Sequence, residues 1–485
     1  MTKLLGLGEA VSEIKDGSFI TFSGMELNRA PMALVYGMVR QGRKGLRTVS
    51  IPNPFPTDVL IKHGCIKSAI FGFNGFSCED GFIIPSNWRK AVEQGIIEWK
   101  ETDMLEIIAA LKAGASGEKF AEISGFAGTD YLKFNRYEKS GENIRVPALT
   151  PDFALIHAQY ADSDGNVLIE DPLIDRLIAS ASKKVIVSAE KIVEKIKEPT
   201  LKKENVDFLV HCPNGASPTA CFGFYDYGIS GIRSHFGIKP KEHLEKSQDE
   251  KKSVDDMIVA LAGLIGEGDS AATGVASPLP MIAAMFAKAS KKRFDYFNCG
   301  SGAINPVLRE PAYSSVTIKA IREKEKFMEL PEVWDYAVKG KIDIMFFGAV
   351  QIAGNGDVNM TCIGGYKRPK VKLPGPAGAV TLRNMCKNAV IITARHTKQT
   401  FVEKVDFVTS STEKDTIVVT NLGVLKLGKR PEILSVFSHS SVEEMIKNTG
   451  FLVKSSNAKR LPAISDYDAS LLDAIDPNDM RYKLF

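Results

Sequence analysis

A glycine and two prolines mark a point where the backbone could bind an anionic group. Gly274 follows an apolar run, and Pro278 and Pro280 open a helical pattern. A glycine between a strand and a helix lets backbone N–H groups approach an anionic or thioester oxygen closely. The same residues also suit a tight strand-to-helix turn with proline in the first helical turn. Both roles stay open for Gly274.

The usual nucleophiles and metal ligands do not form a recognisable set. The seven cysteines are widely spaced without a CxxC pair, and the seven histidines show no HExxH spacing. We therefore expect free thiols, a reducing compartment and no metal site. Cys299 has no histidine near it in sequence, so we expect a buried structural thiol. No GxGxxG or GxxxxGK[ST] sequence indicates nucleotide chemistry.

Length and charge limit the class of protein. A chain of 485 residues exceeds what one hydrophobic core usually supports, so two domains or two fused halves are expected. The net charge of +4 is spread along the chain and does not favour nucleic-acid binding. No apolar run reaches the roughly 18 residues of a membrane span, and no signal peptide is apparent. We therefore expect a cytoplasmic protein without a membrane partner.

Short apolar runs alternate with helical patterns along the chain. The runs are apolar on both faces, as in strands covered by helices on both sides. They are LRTVSIP (46–52), FALIHAQY (153–160), KVIVSA (184–189), VDFLVH (206–211), IDIMFFGA (342–349) and AVIITA (389–394). The pattern predicts an α/β protein with mostly parallel sheets.

The two halves of the chain repeat four features in the same order. IKDGSFITFSG (14–24) matches IGEGDSAATGV (265–275), and HAQYADSDGNV (157–167) matches AVQIAGNGDVN (349–359). KVIVSAEKIV then matches AVIITARH, and the Val-Asp-Phe at 206–208 matches that at 405–407. The repeat predicts two similar α/β domains whose strand ends face a shared ligand site.

A charged segment divides the two halves. The stretch KPKEHLEKSQDEKKSVDD (239–256) holds one leucine before Val254 and is typical of a linker or a solvated helix. We predict a first domain at 1–240, a charged linker at 241–256 and a second domain at 257–485.

Taken together, these motifs resemble the family I CoA-transferases, especially glutaconate CoA-transferase, with the α and β subunits fused in one chain. In the first half the resemblance rests on 16–46, FAGTDYL (126–132) and AQYADSDGNV. In the second half it rests on 272–289, 350–370, PGPAGAV (374–380), 401–410, 419–427 and 446–453. It implies two tandem open α/β domains, a fold also used by sugar-phosphate isomerases, with the active site between them.

The resemblance implies a catalytic glutamate at a position that holds an amide here. The family's carboxylate attacks the thioester from a Glu-Ser-Gly or Glu-Asn-Gly motif. The matching stretch is YFNCGSGAINPV (296–307), with Asn298 at the glutamate position. An amide can donate a hydrogen bond to a thioester oxygen, but it is a poor nucleophile.

Related two-subunit enzymes that open steroid rings share the fold and also lack this glutamate. Their acidic base precedes a helix of the α subunit, and EWKETDMLEIIAALKA (98–113) is the corresponding region. The resemblance therefore makes Glu101, Asp103 and Glu106 candidate bases. Helix capping is the structural alternative for each.

The resemblance also implies binding residues in the second half. Gly375, Gly378 and Ala379 fall in the loop that helps form the family's oxyanion hole, although Pro376 supplies no N–H there. Gln351 and Asn359 flank a segment that the family places beside coenzyme A. Asn355-Gly356 between them also suits an ordinary tight turn.

Three functions follow as hypotheses. The first moves coenzyme A from an acyl-CoA to a carboxylate. The second is hydrolysis of a thioester or a carbon–carbon bond in a cyclic or oxo acyl-CoA, which Asn298 and the acids near Glu101 allow. The third is non-catalytic acyl-CoA binding. We expect an acyl-CoA substrate, no permanently bound cofactor and a possible homo-oligomer.

Overall fold

The computed structural model describes residues 2–241 and 245–484. The helices and strands of the first half are, in chain order, β1 (Lys3–Leu4), α1 (Leu7–Ser12), β2 (Phe19–Phe22), α2 (Met32–Arg40), β3 (Leu46–Ser50), α3 (Pro54–Lys62), β4 (Ile66–Phe71), β5 (Phe76–Cys78), β6 (Gly81–Ile83), α4 (Ser86–Glu93), β7 (Glu98–Glu101), α5 (Met104–Ala115), β8 (Phe120–Ile123), α6 (Tyr131–Phe134), β9 (Glu138–Ser140), β10 (Asn143–Pro147), β11 (Phe153–Asp162), β12 (Val167–Leu168), α7 (Asp175–Ala181), β13 (Lys184–Val193), β14 (Phe208–His211) and α8 (Ile229–Phe236).

The second half follows the same alternation. Its elements are α9 (Gln248–Gly263), β15 (Ser270–Thr273), α10 (Pro278–Ala289), β16 (Asp295–Asn298), β17 (Ala303–Ile304), α11 (Ile318–Arg322), β18 (Lys326–Phe327), α12 (Leu330–Val338), β19 (Ile344–Gly348), β20 (Gln351–Ala353), β21 (Val358–Asn359), β22 (Cys362–Ile363), β23 (Val371–Lys372), α13 (Ala379–Met385), β24 (Asn388–Thr393), β25 (Phe401–Val402), β26 (Thr416–Thr420), β27 (Gly423–Leu427), β28 (Glu432–Val436), α14 (Val442–Lys447), β29 (Lys459–Arg460) and α15 (Asp466–Ile475).

Each half forms one large sheet with a parallel centre. In the first sheet the order is β1-β14-β13-β11-β2-β3-β4-β7, all parallel, with β12 antiparallel to β11. The second sheet has the order β18-β17-β16-β15-β19-β24-β26-β27-β28-β29, and the strands from β16 to β26 are parallel. The predicted α/β class with two tandem open domains is therefore confirmed.

The predicted internal repeat is visible in the strand order. β3, β2, β11, β13 and β14 occupy the same relative places as β16, β15, β19, β24 and β26. The last matched pair of the sequence pattern is wrong. Val206-Asp207-Phe208 leads into β14, whereas 405–407 lies between β25 and β26, so that tripeptide does not mark equivalent strands.

The molecule is layered, and its central layer contains helices from both halves. Along β11, Phe153 and Leu155 pack with helices α1 to α4, while Ala154 and Ile156 face the opposite side. That side is filled by α5 and α7 together with α12 and α13. The far face of the second sheet is covered by α9, α10 and α15. This burial on both faces explains why the strands are apolar throughout.

The charged segment between the halves is helical in its second part. α9 begins at Gln248, where the Ser247 hydroxyl accepts a hydrogen bond from the N–H of Glu250 and the Glu250 carboxylate accepts one from the N–H of Ser247. This reciprocal cap stabilises a helix start. The linker predicted at 241–256 therefore forms a helix from Gln248 onward, while 242–244 lie outside the described residues. The predicted division into domains at 1–240 and 257–485 stays a prediction.

Within residues 2–241 and 245–484, no helix combines the length and the apolar character that crossing a bilayer requires.

Candidate active site

A cavity of about 250 Å³ lies where loops of the two halves meet. We call it the central cavity. The first half contributes Phe73 and Phe82, and the second contributes the turn at 274–277, residues 345–350, Met360 and the loop at 374–379. Parallel strands place their carboxyl ends at one edge of a sheet, and β15 and β19 both end at this wall. Three of the predicted binding residues in the loop, Gly375, Gly378 and Ala379, line the cavity together with Gly274.

The loop at 374–379 crosses between the halves and leaves one backbone donor free. Gly375 donates its N–H to the carbonyl of Met360 at 2.9 Å, and Ala377 donates to the carbonyl of Gly72 at 2.8 Å. Ala379 donates to Pro376 at 2.9 Å. Among the described residues, the N–H of Gly378 has no backbone acceptor. In the predicted oxyanion loop, the backbone N–H of Gly378 is therefore the donor that is available to a ligand.

Gly375 has a backbone conformation that requires glycine. Its φ is +101°, and a Cβ built there would lie 2.9 Å from the carbonyl oxygen of Gly72 and 3.0 Å from Oε2 of Glu101. L-residues rarely adopt this conformation. The loop therefore fits against the first half only without a side chain at 375.

Asp103 caps two helices that belong to different halves. Its carboxylate accepts hydrogen bonds from the N–H of Leu105 at 2.8 Å, the N–H of Val380 at 3.0 Å and the N–H of Thr381 at 3.2 Å. The hydroxyl of Thr381 donates a fourth at 2.9 Å. Full burial raises the pKa of Asp103 to about 7, although these donors oppose the rise. Both oxygens are used, so the carboxyl joins α5 to α13.

Glu101 is paired with a lysine of the other half. Both side chains are fully buried, and the Lys372 ammonium contacts Oε2 of Glu101. The hydroxyl of Tyr131 donates to Oε1 at 2.7 Å. Burial lowers the pKa of Lys372, and the Glu101 carboxylate opposes that change. Glu101 is thus neutralised by an ion pair and does not line the central cavity.

Glu106 is also engaged, in contacts within the first half. Lys100 contacts Oε1 at 2.5 Å, and the hydroxyls of Thr102 and Tyr137 donate to Oε2. The three predicted acids are Glu101, Asp103 and Glu106. In each of them, both carboxylate oxygens therefore have partners among the described residues.

Asn298 is buried at the end of β16 with an unpaired amide. Its strand pairs in register with β15, which places Asn298 beside Thr273 and next to the Gly274 turn. The side chain is fully buried, Oδ1 accepts from the N–H of Ser301 at 3.3 Å, and Nδ2 has no partner among the described residues. Asn298 does not line the central cavity.

The neighbouring thiol is inert in this setting. Burial raises the pKa of Cys299 to about 12. All seven cysteines are free.

Gln351 and Asn359 form a hydrogen-bonded pair inside the second half. Asn359 donates from Nδ2 to Oε1 of Gln351 at 2.8 Å and to the carbonyl of Cys362 at 2.7 Å. Gln351 also accepts from the N–H of Asp406 at 3.0 Å. Neither residue lines the central cavity, so their predicted contact with substrate stays a prediction.

Glu26 was not predicted from the sequence, and the structure places it in the same cleft. This glutamate is fully buried in the loop after β2 and lines a second cavity of about 320 Å³, which we call the acidic cavity. A third pocket joins the two, sharing Ser77 and Tyr313 with the acidic cavity and Ala276 and Ser277 with the central cavity. The sequence signal that could have indicated Glu26 is its position shortly after a strand of a predicted parallel sheet.

His157, Glu190 and Cys221 form a buried cluster that sequence spacing did not predict. Their ligand-type atoms all lie within 4.8 Å of one another. Both ring nitrogens of His157 are hydrogen-bonded, to Ser188 at 2.9 Å and to Glu190 at 2.8 Å. Burial lowers the pKa of His157. The imidazole therefore supports the contact between β11 and β13.

The family model described as coenzyme A transferase matches residues 6–211 and 254–448. The chain is similar to one of the two subunits of the 3-oxoadipate CoA-transferase of Pseudomonas knackmussii, with 33% identity over 47% of this chain and 84% of that protein. It is also similar to the other subunit of the same enzyme, with 29% identity over 30% of this chain and 63% of that protein. Two separate subunits therefore each match part of this one chain.

A hydrolase shows a comparable similarity. The cholesterol ring-cleaving hydrolase IpdA subunit of Rhodococcus jostii is 30% identical over 44% of this chain and 79% of its own length. Among solved structures, the acyl-CoA transferase YdiF apoenzyme from Escherichia coli O157:H7 matches 99% of this chain and 97% of its own, with a TM-score of 0.75 and 15% identity. At that identity the match shows the fold alone.

Proposed function

The chain belongs to the coenzyme A transferase family, and from that premise we propose that it moves coenzyme A between an acyl-CoA and a carboxylic acid in the cleft between its two halves. The enzymes named among its relatives include CoA-transferases and a ring-cleaving hydrolase. The match of two separate transferase subunits to one chain supports a fused arrangement.

The free N–H of Gly378 on the wall of the central cavity is the observation that carries the proposal. A backbone donor held in a rigid loop can stabilise the oxyanion that forms when a thioester carbonyl is attacked. The surrounding wall is largely apolar, with Phe73, Phe82, Met345 and Leu382, which suits an acyl chain or a pantetheine arm. Gly274 and Ala379 complete the wall, and we propose that they contact the thioester.

Asn298 favours hydrolysis as a second candidate function. A buried amide at the strand end cannot form the acyl link that a carboxylate there would form. We propose that its unpaired Nδ2 donates a hydrogen bond to substrate once the Gly274 turn moves. A hydrolytic reaction would use Glu101 or Asp103 as base, and each would first have to leave its present hydrogen bonds. Gln351 and Asn359 remain proposed binding residues on the second-half side.

Product analysis separates the candidate functions. The protein is incubated with acetyl-, butyryl-, succinyl- and glutaryl-CoA, each with and without an excess of a second free acid, and the thioesters are resolved by mass spectrometry. Transfer yields the acyl-CoA of the added acid. Hydrolysis yields free coenzyme A or a cleaved acyl-CoA without it. A panel in which every thioester survives unchanged would contradict both.

Gly375→Ala tests whether the loop at 374–379 forms the reaction site. Its Cβ would displace the loop from Gly72 and Glu101, so we expect kcat/KM to fall at least tenfold, about 1.4 kcal/mol of transition-state stabilisation. Gly340→Ala is the matched control, because Gly340 also has a positive φ, +66°, but nothing lies within 4 Å of its Cβ position. Equal losses of kcat/KM in the two variants would mean that backbone strain at the substituted glycine, rather than displacement of the loop at 374–379, causes the loss.

Further properties belong to the same proposal. We propose a cytoplasmic location, which the seven free cysteines support. The acyl-CoA is a substrate, and no permanently bound cofactor, nucleic acid or membrane partner is proposed. A homo-oligomer is possible, although each chain already supplies both sides of the cleft.

A further inference from the structure

Glu26 is a fully buried carboxyl with one oxygen free. Oε2 accepts a hydrogen bond from the hydroxyl of Ser314, at 2.7 Å, across the boundary between the halves. Oε1 has no hydrogen-bond partner among the described residues. Buried polar atoms are almost always paired, and leaving one unpaired costs about 1–3 kcal/mol. An unpaired carboxyl oxygen on the wall of a cavity therefore points to a ligand.

The loop that carries Glu26 is tightly held. Gly24 needs its φ of +85°, because a Cβ there would lie 2.3 Å from the carbonyl oxygen of Asn28. Arg29, also fully buried, pairs with Asp171 at 2.8 Å and with Asp175 at 2.6 Å. These contacts fix the carboxyl in place, as a reactive group requires.

Two non-glycine residues with positive φ lie where the two halves meet at this residue. Glu26 has a φ of +47°, and Ala276 on the facing turn has a φ of +48°. Each such non-glycine residue costs of order 1–3 kcal/mol, and such residues cluster at functional sites. The backbone of Ala276 interacts with the Glu26 carboxyl and also lines the central cavity. The Glu26 carboxyl therefore lies on the acidic cavity, which the third pocket connects to the central cavity.

Resting on the proposed function, we infer that Glu26 is the catalytic carboxyl of this enzyme and forms the covalent link that Asn298 cannot form. Transfer between two carboxylic acids needs a group that can hold coenzyme A between them, and carboxylates can do so. The other acids considered for the cleft, Glu101, Asp103 and Glu106, have both oxygens engaged.

The steps balance without any further reactant. An oxygen of ionised Glu26 bonds to the thioester carbonyl carbon, the carbon–sulfur bond breaks, and coenzyme A leaves as thiolate. The thiolate then attacks the Glu26 carbonyl carbon of the resulting anhydride. The carbon–oxygen bond breaks, the first acid leaves as carboxylate, and coenzyme A remains as a thioester of Glu26. The second acid reverses both steps.

Ionisation of Glu26 should set the pH dependence of this link. Burial raises the pKa of Glu26 to about 8, opposed first by the hydrogen bond from Ser314 and more weakly by the nearby backbone of Ala276 and Ser77. Because the ionised form reacts, the rate of adduct formation should rise about tenfold per pH unit below pH 8 and level off above it. The charged groups lining the same cavity are Glu79, Asp226, Glu310, Asp476, Lys319 and Lys483.

The remaining titratable neighbours stay neutral over this range. Burial raises the pKa of Cys78 to about 12 and raises the pKa of Tyr227 and Tyr313 above the ordinary tyrosine value. A rate that titrates near pH 8 is therefore assigned to Glu26 rather than to these side chains.

Mapping a covalent adduct tests the inference. The best acyl-CoA of the panel is mixed with wild-type protein without a second acid, and the protein is weighed and digested. We expect a mass gain of coenzyme A less one water on the peptide that contains Glu26. Borohydride, which reduces thioesters, should remove this gain. Glu26→Gln should lose the adduct and at least a thousandfold of the transfer rate.

Controls separate this inference from the proposed function. Glu310→Gln is the matched control, because Glu310 lines the same cavity but is exposed and pairs with Lys319 at 2.6 Å; it should keep the adduct and the rate. An adduct on another residue, turnover without an adduct, or transfer within threefold of wild type in Glu26→Gln would overturn the role of Glu26 alone. A wild-type protein that turns over no acyl-CoA would overturn the proposed function as well. Because the adduct is mapped in wild-type protein, the result does not depend on the folding of a variant.

Discussion

Glu26 and Asp103 are both fully buried carboxyls, yet their surroundings differ in kind. Asp103 receives four hydrogen bonds, which offset part of the loss of water. Glu26 receives one from a side chain and keeps Oε1 free. Desolvation without compensation favours the neutral form. At the scale of single residues, the free oxygen rather than burial distinguishes the reactive candidate from the structural one.

Glu26→Gln should stabilise the fold increasingly as pH rises. The pKa of Glu26 is about 8 in the folded state against an ordinary value of 4.5, so the folded state binds its proton more tightly than the unfolded state does. Its stabilising contribution is complete below pH 4.5 and is lost as pH rises to 8. Glutamine stays neutral, so the variant's advantage in free energy of unfolding should grow between pH 5 and 8, by up to about 1.4 kcal/mol per pH unit.

Calorimetry of both proteins across this range measures that difference. Asp103 also has a raised pKa, about 7, but it is present in both proteins and its contribution cancels. A constant offset between wild type and Glu26→Gln would mean that Glu26 ionises as an ordinary surface carboxyl does.

Two helices from different halves share one cap at Asp103. α5 and α13 both begin at this carboxylate, and their first turns pack in the central layer. A cap normally serves one helix and contributes about 1 kcal/mol. At the scale of elements, Asp103 therefore orients the loop at 374–379 as well as capping α5.

Asp103→Ala should cost about 3 kcal/mol, because it removes two caps and leaves the N–H groups of Val380 and Thr381 buried without acceptors. Asp103→Asn, which keeps one acceptor oxygen, should cost less. Urea unfolding measures both. Ser465→Ala is the comparison, since Ser465 caps the exposed start of α15 alone, and a loss of about 1 kcal/mol is expected there. Equal losses for Asp103→Ala and Ser465→Ala would contradict the shared cap.

The buried ion pair between Glu101 and Lys372 joins the two halves. Lys372 also donates to the carbonyls of Thr361 at 2.7 Å and Leu373 at 3.0 Å. Its ammonium lies over the rings of Trp88 and Trp99, each 5.3 Å away. At the scale of the whole molecule, these contacts hold β23 of the second half against the first-half sheet beside the cleft.

Lys372→Met should destabilise the protein by about 3–5 kcal/mol, because it leaves the Glu101 carboxylate buried and unpaired. Adding Glu101→Gln should recover a large part of that loss, and a double-mutant cycle by urea unfolding measures the coupling. The exposed pair Lys319–Glu310 is the comparison and should show a coupling below about 1 kcal/mol. Additive losses at Glu101 and Lys372 would show that the pair does not act as a unit.

The sequence by itself determined the fold class, the repeat of the two halves and the position of the loop at 374–379. Strands such as 153–160 and 184–189 are recognisable because burial on both faces leaves a continuous apolar run, which is a property of neighbouring residues. The charges around Ser247 are also a local signal, and they indicated a linker or a solvated helix, where the structure forms α9. The loop at 374–379 lies within the range that the family model matches.

Only the tertiary structure decided which acids are free to react. Glu101 ends β7, and Asp103 and Glu106 lie at the start of α5. A catalytic acid or a helix cap could occupy such positions, and sequence spacing cannot separate these roles. Glu26 is buried where the two halves meet and accepts a hydrogen bond from Ser314, 288 residues away, and Asp103 is held by residues 277 and 278 positions away. The ionisation of a carboxyl depends on water and on donors within a few ångströms, and folding brings those groups from the other half of the chain.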